Sequence, residues 1–85
     1  MNVDFSQWLV LSRAECSLCD EMLNELVEHL GEAATAIRVQ DISGDVELEQ
    51  QYGQRIPVLL IEGDFVCAYR LDFARLRGYL DGHSQ

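Results

Sequence analysis

The hydrophobic pattern begins with a short apolar run, Trp8-Leu9-Val10-Leu11, followed by Ser12 and Arg13. A continuous, partly β-favouring run of this length predicts a buried strand. From Ser17 to Leu30 the period lengthens. Leu18, Met22, Leu23, Leu26, Val27 and Leu30 recur at helical spacing, acidic residues fill the other side, and Gly31 follows as a stop. Residues 36–42 alternate apolar and polar, which predicts a second strand. Ser43-Gly44-Asp45 is a turn and cap cluster ahead of a short helix over residues 46–52, closed by Gly53. Pro57 opens a third apolar run, Val58-Leu59-Leu60-Ile61. After the tight turn at Glu62-Gly63-Asp64, residues 65–70 alternate as a fourth strand, so the last two runs should pair as a hairpin. Asp72 can cap a final helix carrying Phe73, Leu76 and Leu80 on one side.

The predicted order is β-α-β-α-β-β-α. A βαβ half followed by a hairpin and a closing helix points to a four-stranded mixed sheet flanked by three helices on its two faces. The 85 residues suit one domain, with a core over about residues 8–81 and a short polar C-terminal tail.

Charge narrows the partners. The chain carries 15 acidic residues against 6 basic ones, all arginine, for a net charge of -9. Such a surface repels phosphate backbones and anionic bilayers, so nucleic acid and membrane are not expected partners. An anionic ligand gripped by one or two arginines stays open. The N-terminal residues lack the basic and long apolar regions of a signal peptide, and no apolar run could span a bilayer. A cytoplasmic monomer is therefore expected. In that compartment three cysteines read better as chemistry or core than as structural staples.

Cys16 and Cys19 are the candidate chemistry. Cys16 falls where the first strand's loop meets the first long helix, and the unpaired amides of a helix N-terminus favour a thiolate over a thiol. Thiolate is the attacking species in disulfide exchange, and a two-residue spacing brings Cys19 back by one helical turn. Cys16 is thus the candidate nucleophile and Cys19 the resolving thiol. Arg13 assists thiolate formation, whereas Glu15 and Asp20 oppose it. Two plainer readings stand beside this one: small buried hydrophobes, or a metal site lacking two ligands. Pro57, the only proline, can begin a strand in the ordinary trans form or follow a cis Ile56–Pro57 bond.

With these residues in view the chain resembles the glutaredoxin and thioredoxin families. Arg13-x-x-Cys16-x-x-Cys19 after an apolar strand resembles the glutaredoxin active-site pattern. Arg55-Ile56-Pro57-Val58-Leu59 resembles the segment that carries a cis-proline opposite the cysteines, and Cys16-Ser17-Leu18-Cys19-Asp20 has the form found in small bacterial glutaredoxin-like proteins. The resemblance implies a minimal thioredoxin (glutaredoxin-like) fold, a dithiol site at Cys16 and Cys19, and substrate-binding groups at Arg13, Arg55, Ile56 and cis-Pro57. It implies no tightly bound cofactor. The expected partners are a protein or low-molecular-weight disulfide as substrate and a thiol reductant or reductase as electron donor.

Glutathione is one candidate reductant, since Arg13 and Arg55 could pair its glycine carboxylate. The chain departs from the family at Tyr69-Arg70-Leu71-Asp72, where glutaredoxins place a glycine pair before an aspartate. Leu71 and Asp72 there are expected to crowd and repel the γ-glutamyl carboxylate. Cys67, sharing a strand face with Phe65 and Tyr69 by alternation, reads as a packing residue. His29 reads as solvated, Trp8 as core or strand-edge packing, and His83 as part of the tail. The leading expectation is a thiol-disulfide oxidoreductase. The alternatives are a non-catalytic binding module of the same fold and a dimeric metal or iron–sulfur carrier built from one cysteine pair per chain.

Overall fold

Apolar alternation along the central strands sets the two faces of the sheet on which everything else packs. The computed structural model describes residues 5–82; His83 lies outside the described residues. Four strands, β1 (Trp8–Ser12), β2 (Arg38–Asp41), β3 (Val58–Ile61) and β4 (Asp64–Ala68), form one sheet in the order β2-β1-β3-β4. Strand β2 runs parallel to β1, and β3 runs antiparallel to both β1 and β4. Helices α1 (Ser17–Leu30), α2 (Val46–Tyr52) and α3 (Phe73–Gly82) complete the mixed α/β fold, with a 3-10 turn over residues 31–36 leading into β2.

Side chains one apart on a strand face opposite ways, and two separate clusters result. Trp8, Val10, Leu59 and Ile61 pack with Met22 and Leu26 of α1 and Leu76 of α3. Leu11, Val58 and Ile42 pack on the opposite face, with Leu48 and Tyr52 of α2 against them. Each fully buried side chain of this size stabilises the fold by about 1.5–3 kcal/mol.

Three local expectations are corrected. Val27 is exposed, because the buried stripe of α1 runs through Cys19, Met22 and Leu26 and Val27 falls one position beyond it. Strand β4 ends at Ala68, because Tyr69 enters the left-handed region at φ 69° and leaves the extended conformation. Phe65 and Cys67 do not share a face. Leu59 pairs with Cys67 and the next residue, Leu60, with Phe65, so Val66 is the extra residue of a β-bulge. Val66 and Cys67 therefore both pack in the α1–α3 cluster, while Phe65 is exposed.

The hairpin turn is tighter than the sequence suggests. Glu62 and Gly63 alone join the strands, at φ 52° and 88°, the positive values that a two-residue primed turn requires. The Glu62 amide donates to the Gln7 carbonyl at 2.9 Å. No helix among the described residues is long and apolar enough to cross a membrane.

Candidate functional site

Strand register assembles the site. Val58, the first residue of β3, pairs with Leu11 near the C-terminal end of β1, and with Ala68 at the C-terminal end of β4. The loop to Cys16, the Ile56–Pro57 peptide and the Tyr69–Asp72 segment therefore all adjoin the sheet at one end of its strands. The Ile56–Pro57 bond is cis.

Cys16 is the N-cap residue of α1, with φ -111° and ψ 105°, and its side chain accepts the Cys19 amide at 3.2 Å. The preceding residue, Glu15, sits at φ 58°, so a left-handed step turns the chain into the helix. Cys16 and Cys19 are bonded to each other, with Cα atoms 5.2 Å apart. Their burial differs: Cys16 is half-buried, whereas Cys19 is 1% exposed and faces the core. Cys16 is thus the more solvent-accessible of the two.

The chain of carbonyls and charges around the loop is also defined. Arg13 forms an ion pair with Glu49 of α2, and the same nitrogen lies 3.5 Å from the Gly53 carbonyl. A side chain at Gly53 would meet the Glu49 carbonyl at 2.4 Å, so that corner admits only glycine without displacement. Asp41, at the end of β2, accepts the Ser43 amide at 2.8 Å. The Ser43 amide first, and then its side chain, hold the Asp41 carboxyl below its usual range, and the Arg13 charge acts in the same direction. Arg13 is thus engaged with α2, while Arg55 is exposed in the loop before Pro57.

The Tyr69–Asp72 departure has a definite geometry. The Leu71 side chain is buried in the α1–α3 cluster, so it does not crowd the edge as the sequence suggested. An Asp72 oxygen accepts the Arg75 amide at 3.1 Å and caps α3. Tyr69 donates its backbone amide to the Pro57 carbonyl at 2.9 Å and its hydroxyl to the Gln54 carbonyl at 2.9 Å.

The sequence comparison decides the family. Residues 8–81 match the family described as Glutaredoxin-like domain (DUF836). The chain belongs to this glutaredoxin-like family. Its solved relatives include protein Ne2328 from Nitrosomonas europaea, determined by solution NMR. That protein is 30% identical, with a TM-score of 0.78 over 93% of this chain and 95% of that one. The X-ray structure of protein XcR50 from X. campestris is also 30% identical, with a TM-score of 0.70 over 88% of this chain and 96% of that one. Oxidized glutaredoxin 2 from Chlamydomonas reinhardtii is 21% identical and superposes with a TM-score of 0.60 over 89% of this chain and 77% of that one. At that identity it shows the shared fold. No curated protein matches.

Within this glutaredoxin-like chain, two residues of the site edge carry no local sequence signal. Glu49 is paired to Arg13 across 36 positions, and Tyr69 to Gln54 across 15. His29 is exposed, as expected, and its ring also lies tilted against that of Phe73 of α3, with centroids 4.3 Å apart. Trp8 is buried in the core, with the Phe5 ring edge-on at 4.8 Å. Among the described residues no group of three or more His, Cys, Asp or Glu side chains is arranged to hold a metal ion.

Proposed function

We propose that this protein is a thiol-disulfide oxidoreductase in which Cys16 is the nucleophile and Cys19 the resolving thiol. The observation that carries the reading is the Cys16–Cys19 bond across the first turn of α1, with Cys16 as the more accessible partner. In the reduced form a Cys16 thiolate would receive the Cys19 amide and the positive end of the helix.

The exchange balances in two steps. The Cys16 thiolate attacks one sulfur of a substrate disulfide; a mixed disulfide forms, the substrate S–S bond breaks and a substrate thiolate leaves. The Cys19 thiolate then attacks the Cys16 sulfur, releasing the second substrate thiolate and closing the Cys16–Cys19 bond. Two electrons pass to the substrate, whose thiolates take protons from water. A thiol reductant or a reductase returns two electrons to the pair, and glutathione is one such donor.

In this reading the substrate is a protein or low-molecular-weight disulfide, held by Arg13, Arg55, Ile56 and cis-Pro57. The protein acts as a cytoplasmic monomer without a tightly bound cofactor, and its acidic surface disfavours nucleic acid and anionic membranes. Reduction of insulin disulfides and of a glutathione mixed disulfide by the reduced protein tests the reading. Cys16→Ser should abolish turnover, and Cys19→Ala should accumulate the mixed disulfide, visible as an adduct by intact mass. Undiminished turnover by Cys16→Ser would sink the proposal.

A further inference from the structure

Tyr69 occupies a backbone conformation that glycine adopts freely and a tyrosine does not, at φ 69°. The adjacent Arg70 amide returns to the Ala68 carbonyl at 2.8 Å, so the chain makes a three-residue turn centred on Tyr69. This strained turn is fastened at two points. The Tyr69 amide holds the Pro57 carbonyl and its hydroxyl holds the Gln54 carbonyl, each at 2.9 Å. The two carbonyls bracket the four-residue segment Gln54–Arg55–Ile56–Pro57. The tyrosine is half-exposed, so its ring is not retained for core packing. A bulky side chain in a costly conformation, spending its polar atoms on both ends of one loop, marks that loop as the thing being held.

We propose that Tyr69 is a positioning residue that fixes the Gln54–Pro57 loop for large disulfide substrates, a proposal that rests on the dithiol reading above. Tyr69 forms no part of the sulfur chemistry. It holds backbone that leaves the sheet at the same end as the loop to Cys16, a surface that a polypeptide disulfide extends over and a small disulfide does not. The role therefore predicts a split by substrate size, which a general loss of folding does not produce.

Tyr69→Phe removes the hydroxyl and keeps the ring. With insulin as substrate the expected result is a KM raised about five-fold, the scale of one lost neutral hydrogen bond, with kcat retained. KM for hydroxyethyl disulfide and the Cys16–Cys19 reduction potential should stay at wild-type values, while the thermal midpoint falls by about 4–8 °C, the stability counterpart of the same lost bond. Tyr69→Gly relieves the backbone cost and should raise the insulin KM at least as much. Wild-type KM for insulin in both variants, or equal changes for the large and small substrates, overturns the inference while leaving the oxidoreductase reading intact. A wild-type protein that turns over neither substrate overturns that reading and this inference together.

Discussion

The Cys19 amide donates to the Cys16 sulfur across 3.2 Å, so one atom both caps α1 and serves as the proposed nucleophile. The two duties can be separated by substitution. Serine is a strong N-cap and keeps an acceptor at the same place, whereas alanine offers none. In the reduced state Cys16→Ala should therefore be less stable than Cys16→Ser by about 1 kcal/mol, while both lack turnover. Urea unfolding of the two variants under reducing conditions measures the difference. Equal midpoints would mean that the sulfur position contributes nothing to the helix end.

Sequence patterning reached the element order, both faces of the sheet and the cysteine pair, because each rests on local periodicity or a fixed short spacing. Trp8, Val10, Leu59 and Ile61 alternate with Leu9, Leu11, Val58 and Leu60, and the two cores follow that alternation. Pro57 is legible as a strand opener, and its cis geometry follows only from family likeness. What escaped was non-local. The bulge at Val66 is a matter of pairing between β3 and β4, so alternation alone put Phe65 and Cys67 on one face. Leu71 stands beside the polar Asp72 in sequence, and only the fold turns its side chain into the core. The Arg13–Glu49 contact joins the loop after β1 to α2 and the Tyr69–Gln54 contact joins two loops, and no spacing rule reports either.

The Arg13–Glu49 pair leads to a second prediction. Both side chains are more than a third exposed, at 37% and 41%, so the pair contributes at most about 1 kcal/mol to stability. Its larger consequence is local charge: Glu49 neutralises an arginine assigned to anionic substrates. Glu49→Gln should lower KM for a glutathione mixed-disulfide peptide by about two- to three-fold at low ionic strength, with the effect fading as salt is added. Steady-state kinetics over a salt series reads both features. An unchanged KM would remove Arg13 from the substrate-binding set.

Cys67 provides the pH dependence. Burial pushes its thiol above the ordinary range; the Asp72 carboxylate adds to the rise, while the Asp72 amide and the Arg75 charge oppose it. In the oxidised protein Cys67 is the one free thiol, so its ionisation can be followed alone. A thiol whose folded pKa is raised keeps its proton in the folded state after the unfolded chain has lost it. The unfolded state then binds fewer protons, and stability falls as pH rises. The loss should begin near the unfolded thiol's pKa, about 8.5, and continue until pH passes the raised folded value. Below that window Cys67 contributes no pH dependence. Urea midpoints of oxidised wild type and Cys67→Ala, taken from neutral pH to about pH 9.5, isolate this part from tyrosine ionisation common to both. The wild type should lose stability more steeply over the alkaline arm, whereas parallel curves would mean that the Cys67 thiolate is tolerated in the folded core.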